Sequence, residues 1–330
     1  MTETHRPARI FVLGSLNVDL VVQVDRFPQP GETLPGRTFH TFPGGKGGNQ
    51  AVAVARLGGS PSMAARLGDD SFGEEYLATL IREGVQVNQV ERIPGKTTGT
   101  ALIEVDQRGQ NRIVVVAGAN ECWDDRAVSI ALAGIAEGDI LLLQLEIPLP
   151  AVIEAALIAS RRGAQVILDP APAPEAPLPR ELLGALSWCT PNEHEAALIT
   201  GIATSSAGGQ REAALALVRH GVSRAVVKAG ARGAWLALED RAELLPGFPV
   251  EARDTTAAGD SFNGGLAWAL SHHFSPREAV IRANSVAALS TTGLGAQTAM
   301  PTAAQLSSFL EKAGITPGEQ KNRDTPASDP

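Results

Sequence analysis

The sequence predicts an α/β fold: a central, mostly parallel sheet flanked by helices, with a small β excursion. Residues 140–145 are a nearly continuous apolar run followed by a helical pattern over 150–161, and 225–228 are another such run preceded by a helical pattern over 212–220. Apolar strands between helices belong to a parallel sheet covered on both faces. Residues 97–105 and 112–116 flank a polar turn, Asp106-Gln107-Arg108-Gly109-Gln110, which is a hairpin signal and supplies the excursion. A chain of 330 residues has ample length for a core.

The remaining elements follow in order. Residues 8–13 are a mostly apolar run ending at Gly14, and 16–25 alternate more loosely, as a bent or second strand does. Residues 44–48 read as a glycine-rich turn. Residues 50–57 read as a helix that Gly58-Gly59 closes, and 72–82 as an amphipathic helix stopped near Gly84. After the hairpin come a strand at 165–168, a proline-rich turn at 170–174, a strand at 186–189 and a helix at 193–199. Helices are expected at 257–270, 276–291 and 303–313. The simplest organisation is one domain over 8–313, with the β excursion drawn from about 17–43 and 96–118. The tails, 1–7 and 314–330, are expected to be disordered.

Composition narrows the function classes. Hydrophobic residues make up 44% and charged residues 19%, as in soluble globular chains. A net charge of −8 argues against nucleic-acid binding, which calls for a basic face. There is no apolar run long enough to span a membrane and no export-signal pattern at the N-terminus, so a cytoplasmic location is expected. Cys122 and Cys189 can pair, but two reduced thiols suit such a chain better. The six histidines show no metal spacing.

The most informative stretch is Asp254-Thr255-Thr256-Ala257-Ala258-Gly259-Asp260-Ser261-Phe262-Asn263-Gly264-Gly265. Small residues meet the start of a helix there, where unpartnered amides and the macrodipole attract anions. Asp260 stands beside that anion hole, where it serves either as a general base, ionised at pH 7, or as an ordinary cap for the helix amides. Gly44-Gly45-Lys46-Gly47-Gly48-Asn49 invites a phosphate-loop reading, but Gly47 follows the lysine where that motif needs Ser or Thr. Lys46 and Asn49 suit a polyol instead, the alternative being a plain tight turn. Asn17 and Asp19 share one face of a strand and can bind vicinal hydroxyls, or sit solvated in a turn. Glu146 and Asn192 follow apolar strands, at the ends where open α/β sheets bind ligands. Asn192 with Glu195 can hold a hydrated Mg²⁺ and phosphate, or form a helix cap with its partner.

Taken together, Gly14-Ser15-Leu16-Asn17-Val18-Asp19, Pro30-Gly31-Glu32-Thr33, Gly44 to Ala51, Gln144-Leu145-Glu146, Thr190-Pro191-Asn192-Glu193, Asp254 to Gly265 and Gly295-Ala296-Gln297 resemble the ribokinase branch of the PfkB carbohydrate-kinase family, over about residues 8–313. The resemblance implies a ribokinase-like sheet with a β lid that also makes a homodimer contact. It also implies transfer of the ATP γ-phosphate to a sugar hydroxyl, most simply the primary hydroxyl of D-ribose. It makes Asp260 the base, with Ala257, Ala258 and Gly259 as the anion hole. It assigns the sugar to Asn17, Asp19, Gly45, Lys46, Gly47, Gly48, Asn49 and Glu146. The nucleotide falls to Asn192, Lys228, Ala229, Gly230, Ala231, Arg232, Gly233, Gly259 and Asn284, and the Mg²⁺/phosphate motif to Glu195. It implies an activating K⁺ at Asp254, Thr256, Ser290, Gly293, Gly295 and Ala299. Serine is usual in the family where Ala299 stands, histidine is common where Asn284 stands, and an apolar residue is common at Arg253. The same pattern admits a kinase for deoxyribose, a ketohexose or a nucleoside, or a sugar-binding regulator without catalysis.

Overall fold

The computed structural model describes residues 8–174 and 176–315; the expectations for 1–7 and for 316–330 lie outside them. Along the chain come β1 (Ile10–Leu13), β2 (Asn17–Gln23), β3 (Thr38–Gly44), α1 (Lys46–Arg56), β4 (Ser62–Gly68), α2 (Ser71–Arg82), β5 (Gln86–Ile93), β6 (Gly99–Val105) and β7 (Asn111–Val116). Then follow α3 (Asp125–Ala131), β8 (Ile140–Leu143), α4 (Leu149–Arg161), β9 (Gln165–Leu168), α5 (Arg180–Ala185), β10 (Trp188–Cys189), α6 (Glu193–Thr200), α7 (Ala207–Arg219) and β11 (Arg224–Lys228). The chain continues with β12 (Gly233–Leu238), β13 (Arg241–Pro246), α8 (Ala258–Ser271), α9 (Pro276–Ser290) and α10 (Ala303–Lys312).

Nine strands form the main sheet in the order β13-β12-β11-β10-β9-β8-β1-β4-β5. The strands from β11 to β5 run parallel, and β12 and β13 add antiparallel at one edge. One face packs on α3 to α7, through Leu141, Leu143, Val166 and Leu168 among others. The other packs on α1, α2, α8 and α9, through Val12, Leu142, Ile167 and Trp188. The strands are short and apolar because both faces are covered. A separate four-stranded sheet has the order β3-β2-β6-β7.

Several elements depart from the sequence expectations. The glycine-rich 44–48 is not a turn: Gly45, at φ +81°, caps α1, which already includes Gly47 and Gly48. Glycine inside a helix costs about 1 kcal/mol, and close approach explains its use here. A Cβ on Gly47 would lie 2.7 Å from the carbonyl carbon of Gly14, and one on Gly48 would meet the Tyr76 hydroxyl. The antiparallel pair β12 and β13, and the parallel strands β4 and β5, also fall outside the expected elements. Among the described residues no helix is long and apolar enough to cross a membrane. Cys122 and Cys189 are free thiols.

Candidate active site

The parallel strands β1, β8, β9, β10 and β11 end on one side, and the residues just beyond them face the start of α8. Ala257 adopts a left-handed conformation (φ 57°) as the N-cap of α8, and no side chain caps that helix. Asp260 lies in the first turn and is buried, yet it does not cap the helix. Its Oδ2 accepts from Asn49 Nδ2 at 2.9 Å and its Oδ1 from Gln50 Nε2 at 3.2 Å. Both donors come from α1, so the carboxylate leaves the amides at the start of α8 uncapped; the Ala258 amide bonds the Thr255 carbonyl at 3.2 Å. Burial pushes the Asp260 carboxyl up to about 6; the Lys46 ammonium opposes this and Asp169 adds to it. That is well above the ordinary carboxylate value expected from sequence, and closer to working pH.

Lys46 opens α1 among carboxylates. Burial alone would lower its pKa, but Asp260, Asp169, Glu146 and Glu195 together drive it upward, so it stays charged. Glu146 accepts from Ser15 Oγ at 2.5 Å and from the Lys46 amide at 2.9 Å. Asp19 packs against Gly44, where any Cβ would collide with its carboxylate. Burial, then Glu146 and Asp260, raise Asp19 to about 7. Asn17 Oδ1 accepts from Asn120 Nδ2 at 2.8 Å, and Asn120 also bonds the Leu16 amide and carbonyl. Asn49 Oδ1 accepts from Gln297 Nε2 at 3.1 Å. Gln297 Nε2 also reaches the Tyr76 hydroxyl, which donates to the Gly44 carbonyl. The site thus presents amides, carboxylates and one ammonium in a narrow space, the donor set a polyhydroxylated molecule needs.

On the other side of Asp260, Lys228 ends β11. A Cβ on Gly259 would lie 3.5 Å from its Nζ, so the ammonium stands beside the open end of α8. Its partner is Asp169 Oδ1 at 2.8 Å. Asn192 and Glu195 form the capping box of α6: Glu195 accepts from the amide and Nδ2 of Asn192, both at 2.8 Å, and Asn192 Oδ1 accepts the Glu195 amide. Burial raises the pKa of Glu195, with Lys228 opposing. Ala229, Gly230, Ala231 and Arg232 form the turn into Gly233 at the head of β12, and Arg232 pairs with Glu193 at 2.5 Å. Asn284, on α9, donates to the Leu245 carbonyl at 3.2 Å and the Pro246 carbonyl at 3.4 Å, tying down the end of β13.

Residues 254–256 precede α8, Ser290 ends α9 and residues 291–299 follow it. Asp254 accepts from the Thr256 amide and hydroxyl on one oxygen and from the Gly295 amide, at 2.9 Å, on the other. These bonds outweigh partial burial and hold its carboxyl below the usual range. Ser290 Oγ donates to the Ala287 carbonyl. Gly293 packs on Ala299, whose Cβ would lie 2.9 Å from a Cβ at 293. Among the described residues no group of three or more His, Cys, Asp or Glu side chains could hold a metal ion. Any cation here would rest on Asp254, main-chain oxygens or a nucleotide.

Gln50, Gln144, Asp169, Ser15, Asn120, Tyr76 and Gln297 were not among the expected site residues. Asp169 ends an apolar strand, the rule that singled out Glu146 and Asn192, and Gln50 adjoins Asn49. Tyr76 and Asn120 carry no local signal.

With this geometry in view, comparison with known proteins places the chain. Residues 7–303 match the pattern of the pfkB family carbohydrate kinases. A ribokinase of Haemophilus influenzae is 40% identical over 302 residues, covering 92% of this chain and 98% of its own. A ribokinase of Bacillus subtilis is 39% identical over 301 residues, covering 91% and 99%. The solved structure of Arabidopsis thaliana ribokinase complexed with ribose and ATP is 31% identical and superposes with a TM-score of 0.84, covering 93% of this chain and 99% of its own. A buried carboxylate beside an uncapped helix start, a polar cradle on one side of it and a lysine on the other, agree with that likeness along nearly the whole length: the chain belongs to the pfkB family of carbohydrate kinases.

Proposed function

We propose that this chain phosphorylates D-ribose at its primary hydroxyl with ATP, giving ribose 5-phosphate and ADP. The observation that carries the reading is Asp260 held by Asn49 and Gln50 next to the uncapped start of α8, with Lys228 beside Gly259. The sugar lies among Asn17, Asp19, Gly45, Lys46, Gly47, Gly48, Asn49 and Glu146. Asp260 takes the hydroxyl proton as the oxygen attacks the γ-phosphorus, and the bond to the β–γ bridging oxygen breaks. The amides of Ala257, Ala258 and Gly259 and the Lys228 ammonium receive the charge on the transferring group, and each such donor is worth about 3 kcal/mol. The nucleotide runs along Asn192, Ala229, Gly230, Ala231, Arg232, Gly233 and Asn284.

Mg²⁺ bound with ATP supplies charge neutralisation at the β- and γ-phosphates. Glu195 holds the Asn192 side of that motif. The set of Asp254, Thr256, Ser290, Gly293, Gly295 and Ala299 offers oxygen donors, as a hard cation needs, with a single carboxylate among them, a charge that suits the monovalent K⁺. Ala299 offers only its carbonyl. The second sheet serves as lid and as homodimer contact. The reaction belongs in the cytoplasm.

The test is a panel of D-ribose, deoxyribose, a ketohexose and a nucleoside with ATP–Mg²⁺, run with and without K⁺. Ribose should give the highest kcat/KM. A higher value for another acceptor would replace the substrate. Sugar binding with no turnover on any would make the chain a regulator.

A further inference from the structure

Three buried side chains near Asp260 have no assigned part in holding the sugar or the nucleotide: Gln50, Gln144 and Asp169, at 0%, 0% and 2% exposure. Gln50 Nε2 lies 3.2 Å from Asp260 Oδ1 and 3.1 Å from Asp169 Oδ2. Its two protons therefore serve two different carboxylates. Gln50 Oε1 accepts from Gln144 Nε2 at 2.7 Å. Reversing the Gln50 amide would aim an acceptor at two acceptors and a donor at a donor, so the surroundings allow one orientation. Asp169 is anchored in turn by Lys228.

We infer that Gln50 is a positioning residue for the phosphoryl-transfer reaction: locked by Gln144 and braced on the Asp169–Lys228 pair, it fixes the rotation of the Asp260 carboxylate. The inference rests on Asp260 being the base. With Asn49 on the other oxygen, the carboxylate is gripped at both ends by neutral amides from adjacent residues of one helix. A cation in the same place would hold it equally well but would draw off its basicity, and an amide does so less. Asp169 works in the opposite sense, since its charge opposes ionisation of Asp260. The other charged groups around Asp260 are Lys46 on α1, Asp19 on β2, Glu146 beyond β8, Glu195 on α6 and Lys228 at the end of β11. Tyr76 on α2 also senses it.

The test uses the full chain, ribose and ATP–Mg²⁺, with pH–rate profiles, ribose calorimetry and thermal melts. Gln50→Met keeps the length and loses both donors. It should lower kcat on the order of 10- to 100-fold, as misplacing a reacting group does, while ribose affinity stays within about twofold. Its acidic limb in kcat/KM should move to higher pH. Asp169→Asn should move the same limb to lower pH. Limbs that stay put in both folded variants, or that move in the same direction, overturn the proposal. Should Gln50→Met not fold, Gln144→Met takes its place, because it removes the donor that holds Gln50 Oε1 and loosens the brace on the amide. A fall in kcat with unchanged ribose affinity supports the lock, and unchanged kcat overturns it. Asp260→Asn separates the two levels: retained turnover defeats the base itself, whereas lost turnover with unmoved limbs defeats only the role of Gln50.

Discussion

The main sheet and the second sheet invert each other's surface chemistry. At the strand ends of the main sheet, polar groups are buried: Asn49, Gln50, Asp169, Asp260 and Gln297 are nearly inaccessible and bonded to one another. On the second sheet, apolar groups are exposed: Phe39 at 63%, Val114 at 62%, and Ile113, Val115 and Val116 beside it. Stability alone would produce neither. Buried polar groups cost free energy unless paired, and a contiguous exposed apolar strand invites association. On the proposed function both regions give up stability, the first for chemistry and the second for contact with another surface.

The sharpest way to break the first half is Asp260→Ala. Turnover should fall about a thousandfold or more, as for loss of a general base and its charge, while calorimetry still detects ribose. Unchanged turnover would end the base assignment. With Asp260 as the proposed base, the deprotonated form is the active one, so kcat/KM should decline below pH about 6, the value to which burial raises Asp260, roughly tenfold per pH unit. A flat profile from pH 5 to 8 would contradict it.

Asp19→Asn probes the stability cost directly. A carboxyl at about 7 in the folded chain and about 3.9 in the unfolded one favours the folded state fully only below the lower value. That contribution is lost as pH rises between the two. The substitution should therefore cost sugar affinity on the order of tenfold or more. It should also raise the melting midpoint at pH 8 by about 3 °C, with little gain at pH 4. A lower midpoint at pH 8 would refute the account.

For the second sheet, Val114→Asp places a charge opposite Leu102 on the neighbouring strand. Light scattering should show the proposed dimer in the parent chain giving way to monomer at micromolar concentration, and an unchanged dimer mass would move the contact elsewhere. The smallest effect concerns the cation. Rates should be a few-fold higher in K⁺ than in Na⁺, and Ala299→Ser should lower the K⁺ concentration for half-activation. Equal rates in both salts would remove the site.

How much was legible follows the same division. Uninterrupted apolar strands such as β8, β9 and β11 declared themselves, because burial on both faces writes a simple code. Arg66 inside β4 and the charges along β13 broke that code, so those strands did not. In the site, Asp260, Lys46 and Asn49 stood out through local spacing. Gln50 and Asp169 lay beside legible signals, a glycine-rich motif and a strand end, but their roles rest on distant partners, 119 and 210 positions away for Gln50 and 119 and 59 for Asp169. The two readings of Asn192 and Glu195 also needed structure, which supplies the cap geometry.

The second sheet also runs directly into the helix that grips Asp260. Strand β3 ends at Gly44, and one residue later α1 begins, carrying Lys46, Asn49 and Gln50. Gly45 makes that joint so tightly that a Cβ there would lie 2.6 Å from the Asn17 amide. Variation in this strand therefore acts on the helix that holds the carboxylate. With the acceptor proposed to lie on Gly45, Lys46 and Asn49, acceptor choice and turnover share one inherited segment, and laboratory evolution of residues 44–50 should change them together.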